Sequence, residues 1–591
     1  MLFSLRLALL LLLPASGLFA QTDQGLPRYL SAEEKAQILL KPPVACPPAG
    51  RTNPPPGPVR AMAEWEELQA LLITWQGQSA ILAEIVRAAR KECRVIISCK
   101  DQNTLNSASS YLLSKNVDIA SNVEFLLAPN NSIWVRDYGP NCVYANKVDS
   151  LYFVDWRYNR LTRPSDDTIA TSVSKYMNVP LYTTFEAPND LVNTGGNFMS
   201  DGLGTAFASR LILSENAKGN PYGVSTKTEG QIDTILDTYM GIKRYIKMTT
   251  LPYDAIHHID MHMKLLDEET LLVGKYPDGV ADGPQIEANL QYVLSNFTSP
   301  FGTPYKVIRI PMPPEYDQYP DNGGDYRTYA NAVFVNKTVI VPFYEPQYDT
   351  TAQRVWQEAL PGYTVVGINC NSIIPSLGAI HCITKEIGVN DPLHIVHQQL
   401  PCMDNANFPY YPVWATLEHR SGIASAKIHY TTDLSAGWKT ADLPPSLIDT
   451  NWTHQGLIPQ QPAGSTVYYY IEATAVNGKT ISRPLPAPQG FWKFCVTESV
   501  GAPEVPAADL AAIYPNPASA ITVIPLRTAG PMTVRIRLFN AFGQFVAPVF
   551  EGNVPAGDSN YFLDAAQYPS GAYWVELRTN NQVRVQKLII R

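Results

Sequence analysis

Between residues 65 and 402 apolar positions recur in two alternating rhythms. Residues 70–75 and 94–99 are short apolar runs of strand length, whereas 79–92 and 104–114 return apolar side chains every three to four residues, as an amphipathic helix does. The alternation predicts an α/β fold. Two stretches within it, Asn193-Thr194-Gly195-Gly196-Asn197 and Asp321-Asn322-Gly323-Gly324-Asp325, are Gly-Gly turns flanked by polar groups. Each precedes a β-run, at 205–213 and 332–341, and then a helical stretch, so the spacing points to repeated supersecondary units in a cyclic, propeller-like arrangement. A plain α/β sandwich with two such turns accounts for these repeats equally well.

After residue 402 the helical rhythm stops. Residues 412–498 carry short alternating runs, for example 427–431 and 466–475, with an Asn477-Gly478 hairpin signal, the pattern of an immunoglobulin-like sandwich. A linker rich in Ala and Pro follows at 499–508, and 509–591 is again all β. At the other end, residues 1–20 carry Arg6, an apolar run and small residues up to Ala20, the layout of a secretory signal peptide whose apolar run is too short to span a bilayer. Residues 21–60 are proline-rich and read as a leader, a propeptide or a wrapping arm. The catalytic chemistry is expected within 61–405.

Composition narrows the class. Only 17% of residues are charged, against about 25% in typical soluble domains, and the 49 prolines and 32 tyrosines favour turns and β-structure, which suits a secreted protein. The net charge of −8 argues against nucleic acid or an anionic membrane as partner. No segment after the first twenty residues is long and apolar enough to be transmembrane. Eight cysteines are too few for a disulfide scaffold at this length, and their spacing fits no zinc pattern.

The candidate chemistry lies in three places: His257-His258-Ile259-Asp260, Trp134-Val135-Arg136-Asp137, and Cys382 in Gly378-Ala379-Ile380-His381-Cys382. One thiol, one imidazole and two carboxylates are the parts needed to attack a guanidinium. That group is planar, always charged and a poor electrophile, so carboxylates must hold it by paired hydrogen bonds while a strong nucleophile is delivered to its carbon. Asp137 and Asp260 are the carboxylates, and Cys382 is the nucleophile. His258, projecting on a strand from the same face as Asp260 and His262, is the acid/base; His257 projects oppositely. Trp134 lines the substrate's aliphatic part or belongs to the core. Arg160 and Arg163 bind a substrate carboxylate or are solvated surface arginines.

These residues resemble the agmatine deiminase and bacterial peptidylarginine deiminase superfamily. The similarity runs over roughly 60–400 through Trp134 to Pro140, Asn193 to Asp201, His257 to Asp260, Tyr329-Ala330-Asn331 and Gly378 to Thr384. It implies a pentein fold, five ββαβ-like units about a pseudo-fivefold axis, and hydrolysis of a guanidino to a ureido group with release of ammonia through a covalent cysteine adduct. It also implies Asn331 as a further catalytic-site residue and requires no metal or organic cofactor, a structural calcium or sodium ion remaining open. The layout is similar to the Porphyromonas-type enzymes, in which an arginine pair reads the carboxylate of a C-terminal arginine. Arg160 matches one member, while Thr162 stands where a close second would be and Arg163 follows. Thr194 replaces an acidic residue expected in agmatine deiminases. Tyr514-Pro515-Asn516-Pro517, Phe539-Asn540-Ala541-Phe542-Gly543 and Tyr568-Pro569-Ser570-Gly571 resemble a type IX secretion sorting domain, which implies the type IX machinery as partner and a secreted or outer-membrane surface location. The expected activity is conversion of peptidyl-arginine to citrulline. The alternatives are an exported agmatine deiminase and a catalytically silent surface-binding protein.

Overall fold

The computed structural model describes residues 25–40, 50–405, 410–446, 452–497, 508–579 and 583–591. The expected signal peptide at 1–20 and nearly all of the 499–508 linker lie outside the described residues. Among those described, no helix is long and apolar enough to cross a membrane.

Residues 59–388 form five small sheets of one design. In each, a central strand pairs antiparallel with one neighbour and, across a helix, parallel with another. Thr270–Lys275, for instance, pairs antiparallel with Met263–Leu265 and parallel with Lys306–Pro311, and the helix Gly283–Asn296 supplies the crossover that a parallel pair requires. Ile169–Met177, Glu229–Met240, Pro346–Ala359 and Ser79–Ala89 serve the other four sheets in the same way. The fifth sheet joins distant ends of this region: Lys385–Gly388 pairs with Leu68–Thr74, which continues into Arg94–Cys99 and Val123–Leu127. Leu71, Leu72, Ile96 and Ile97 are fully buried there, so these strands read as continuous apolar runs rather than alternating ones.

Two expected runs break where polar turns intervene. The run at 205–213 is the strand Thr205–Ser209 followed by a short helix, Leu211–Glu215. The run at 332–341 is a hairpin, Val333–Val335 with Thr338–Phe343, turning at Asn336 with a left-handed φ of +49°. The two Gly-Gly turns also differ. Gly195–Asn197 is a buried 3-10 turn, whereas Gly323 is exposed in a surface loop. The repeat visible in three dimensions is instead a short helical, 3-10 or irregular segment entering the first strand of each sheet: Val135–Tyr138, Gly195–Asn197, Ile259–Met261, residues 328–332, and His381–Ile383.

Beyond this region the chain is all β. Tyr410–Glu418 alternates buried and half-buried positions and pairs with His454–Pro459 and with His394–His397, so residues 394–397, which fall within the expected 61–405, pair with the following unit. A second sheet, centred on Thr466–Ala475, packs on a shared apolar core that includes Tyr411, Ile428 and Tyr469. A disulfide joins Cys402 to Cys495. The other described cysteines, Cys93, Cys99, Cys142, Cys370 and Cys382, are free and buried. Residues 508–591 fold as two further sheets around Ile524, Ile536 and Val575.

Candidate functional site

The five entering segments converge on one buried point, and an arginine from the proline-rich leader occupies it. The Arg28 side chain is fully buried. Its Nε and Nη2 donate to Asp137 Oδ2 and Oδ1 at 3.0 and 2.8 Å, a bidentate pair. Its Nη1 and Nη2 lie 3.3 and 3.4 Å from Asp260 Oδ1 and Oδ2. Nη1 also donates to Cys382 Sγ at 2.7 Å, and Nη2 to His258 Nδ1 at 2.5 Å. Asn331 Nδ2 lies 3.2 Å from the same sulfur and donates to the Asp260 carbonyl at 3.0 Å. Cys382, His258, Asp260, Asp137 and Asn331, all anticipated from sequence, thus surround one guanidinium.

The local structure differs from expectation in one respect. His258 to His262 do not form a strand; Ile259–Met261 is a 3-10 turn, and His257 holds a left-handed φ of +60° that reverses the chain just before it. The tight turn brings both His258 and Asp260 to the guanidinium. His262 is buried nearby with neither ring nitrogen bonded, and burial lowers it to about 4.

Charge state follows from geometry. Burial works against both carboxylates, yet the Arg28 cation outweighs it and holds Asp137 and Asp260 well below the ordinary range. Burial and then the Arg28 charge lower His258, which accepts from Arg28 at Nδ1 and so carries its proton on Nε2, 3.0 Å from Thr194 Oγ1. Burial pushes the Cys382 thiol up, and Arg28 is the largest influence pulling it back. A guanidinium in the pocket therefore favours the Cys382 thiolate.

Several contributors had no clear signal in the sequence. Gly196 is one: a Cβ there would sit 1.9 Å from Arg28 Nη2 and 2.7 Å from His258 Nδ1, so a side chain at this position excludes the guanidinium. His381 is another, with Nδ1 2.9 Å from Asp260 Oδ2 and Nε2 2.9 Å from Glu64 Oε1. Glu64, His381 and Glu386 converge closely enough to hold a metal ion, but Lys264 already pairs with Glu64, and Arg136 with Glu386 at 2.7 Å, so cations of the chain itself neutralise the cluster.

Trp134, Arg160 and Arg163 face the leader's main chain. Trp134 Nε1 donates to the Leu26 carbonyl at 2.7 Å, and Arg160 Nε to the Arg28 carbonyl at 2.9 Å. Arg163 Nη2 donates to the Pro27 and Tyr29 carbonyls at 2.7 and 3.0 Å, while the Arg28 amide donates to the Ser376 carbonyl at 3.0 Å. Arg163 is fully buried and Arg160 partly so, which overturns their reading as solvated surface residues.

Residues 60–387 match the family model of Porphyromonas-type peptidyl-arginine deiminase, and residues 512–591 match that of a secretion system C-terminal sorting domain. Among curated proteins, the chain is 25% identical over 362 residues to a provisionally named agmatine deiminase of Mycoplasma capricolum, covering 55% of this chain and 94% of that protein. A similarly named Shewanella baltica protein is 28% identical over 306 residues, covering 47% and 79%. Among solved structures, an agmatine deiminase of Enterococcus faecalis superposes with a TM-score of 0.50 at 19% identity, covering 58% of this chain and 100% of that one. A provisionally named agmatine deiminase superposes at 0.51 with 22% identity and the same coverage. These likenesses establish a pentein-like fold, and the sorting domain supports secretion with attachment at the cell surface. The family match spans more than half of the chain, which therefore belongs to the Porphyromonas-type peptidyl-arginine deiminases, a family of guanidine-modifying hydrolases.

Proposed function

We propose that the protein deiminates arginine within a polypeptide, giving citrulline and ammonia. The observation that carries this reading is the set of main-chain contacts on both sides of Arg28. Trp134, Arg160, Arg163 and Ser376 bind backbone groups of residues 26–29 and leave the neighbouring side chains unread, as an enzyme of broad peptide specificity requires. The chain continues through Tyr29, so the Arg160 donor meets a peptide carbonyl rather than a terminal carboxylate. Two cations at the far end of the bound arginine also disfavour the ammonium of agmatine.

In this mechanism Asp137 and Asp260 fix the guanidinium plane. The Cys382 proton passes to the His258 side, and the thiolate attacks the guanidinium carbon. His258 protonates the departing nitrogen, which leaves as ammonia, and a cationic thiouronium remains on sulfur. Water then attacks; one of its protons goes to His258 and the other to the ammonia, the C–S bond breaks to return the thiolate, and the ureido product leaves. Asn331 holds the sulfur, and Thr194 orients the His258 ring. Each role is carried by a residue within bonding distance in the seated arrangement.

The same reading takes the five units within 59–388 as blades about a central axis, one entering segment per blade at the centre. It takes the unit after residue 393 as an immunoglobulin-like sandwich and 509–591 as the sorting domain, with a signal peptide at 1–20. The test is ureido-product formation by an Arg28→Gln chain, which lacks the guanidinium that fills the pocket, on a peptide with internal arginine, the same peptide ending in arginine, and agmatine. Turnover of the internal arginine is expected. Turnover of agmatine alone overturns the proposal.

A further inference from the structure

The leader's burial pattern is that of a two-pin plug. From Gly25 to Gln37 only Arg28 and Glu34 are buried, and both are charged. Leu26 and Tyr29 are exposed, so apolar packing does not hold this segment down. Arg28 enters the catalytic pocket, while Glu34 receives Arg163 Nε and Nη2 at 2.7 and 2.8 Å and the Thr162 hydroxyl at 2.7 Å. Glu34 also closes a capping box with Ser31, its carboxylate accepting from the Ser31 amide at 2.8 Å and its own amide donating to the Ser31 hydroxyl at 3.2 Å. That box starts the helix Ala32–Leu40 at the point where the second pin must stand. Between the pins, main-chain bonds from Trp134, Arg160 and Arg163 hold the strap against the pocket mouth.

We infer that residues 25–38 are a built-in competitive inhibitor: Arg28 holds the guanidinium seat of its own active site, and the chain stays latent toward other arginines until the leader is removed or displaced or Arg28 is itself converted to citrulline. The inference rests on the deiminase reading for its consequence, but the occupancy is independent of that reading. All three guanidinium nitrogens are bonded, and Arg28 is fully buried, so an external guanidinium and the leader exclude each other. Tethering makes the competition severe. A ligand carried on the same chain acts at about millimolar effective concentration, whereas enzyme KM values run from about 1 μM to 1 mM, so the leader raises the apparent KM by roughly tenfold or more without altering kcat.

Two measurements on the full chain test this. In the first, kcat and KM for a peptide with internal arginine are compared between the native chain, Arg28→Gln, and Glu34→Ala, which loosens the second pin without removing any group that contacts the guanidinium. Arg28→Gln is expected to lower the apparent KM at least tenfold with kcat within about twofold, and Glu34→Ala to fall between. The second follows alkylation of Cys382 by 2-chloroacetamidine, read by mass spectrometry. Its amidinium supplies the cation that Arg28 no longer provides, and no arginine turnover is needed. The native chain is expected to label at least tenfold more slowly than Arg28→Gln. Equal labelling and equal KM in all three chains overturn the latency. Labelling that accelerates while no arginine substrate turns over leaves the plug standing and removes the deiminase reading instead.

Discussion

The point where the five entering segments meet and the C-terminal sheets of residues 508–591 solve opposite problems with the same chain. In the first, Arg28, Asp137, Asp260, Arg136 and Glu386 are all buried charges, each paired with another. In the second, the buried residues are aliphatic apart from Tyr573, Thr522 and Thr528, and the ion pairs Arg527–Asp558 and Arg535–Glu551 lie in solvent. Burying a charge costs several kcal/mol of hydration, so a protein keeps such a cluster where the charges do something that apolar packing cannot. Exposed pairs of the second kind contribute little. The same residue types therefore carry the chemistry at one end and a solvated surface at the other.

Substitutions sharpen this contrast, beginning with the largest effect. Cys382→Ala, on the Arg28→Gln background, is expected to reduce ammonia release on the order of 10⁴-fold or more; residual turnover near the parent rate identifies another nucleophile. Gly196→Ala puts a methyl where the guanidinium lies and should cost about 100-fold or more in kcat/KM, seen in steady-state kinetics with the far-UV circular dichroism spectrum unchanged. Thr194→Val removes the hydroxyl that orients His258, and the expected loss is about tenfold in kcat with KM little changed, near 1.4 kcal/mol. A fall in KM alone excludes that positioning role.

The pH dependence of the plug has a definite sign. Burial raises Glu34, but its bonds to Arg163 and to the Ser31 amide outweigh this and hold it at about 2, while Asp137 and Asp260 are held low by Arg28. Carboxylates lowered by folding stabilise the docked leader above their unfolded values, near 4, and lose that contribution as pH falls through the folded ones. His258, lowered by burial and by the Arg28 charge, opposes docking once pH falls below its ordinary value near 6.5, so hydrogen-exchange protection of the Arg28 amide, corrected for intrinsic rate, should begin to weaken below about pH 6.5 and collapse below about 4. At the other end of the molecule, Arg527→Gln should leave the melting temperature unchanged within error.

How much of this was legible in sequence follows from separation along the chain. The apolar rhythms located the strand Arg94–Cys99 and the helix that begins at Ser79, because local spacing decides which face a side chain occupies. Cys382, His258, Asp137 and Asp260 were visible as chemistry, since few residue types can attack and hold a guanidinium, and Asn331 came by family resemblance. Gly196 was visible only as part of a turn. Its meaning is a distance to Arg28 and His258, which no local pattern encodes. The strand drawn through His258 and Asp260 failed because alternation cannot distinguish a strand from a 3-10 turn over so few residues.

By itself, then, the sequence determined the kinds of element, the all-β character of the C-terminal third and the thiol, imidazole and carboxylates that meet Arg28, all properties of local spacing and side-chain chemistry. Tertiary structure alone decided that Arg28, 354 residues from Cys382, is the guanidinium those groups surround. It also decided that Arg160 and Arg163 grip a polypeptide backbone. A leader with no apolar face carries no periodic signal, and what holds it is the convergence of charges from elements that meet only when the five sheets have closed.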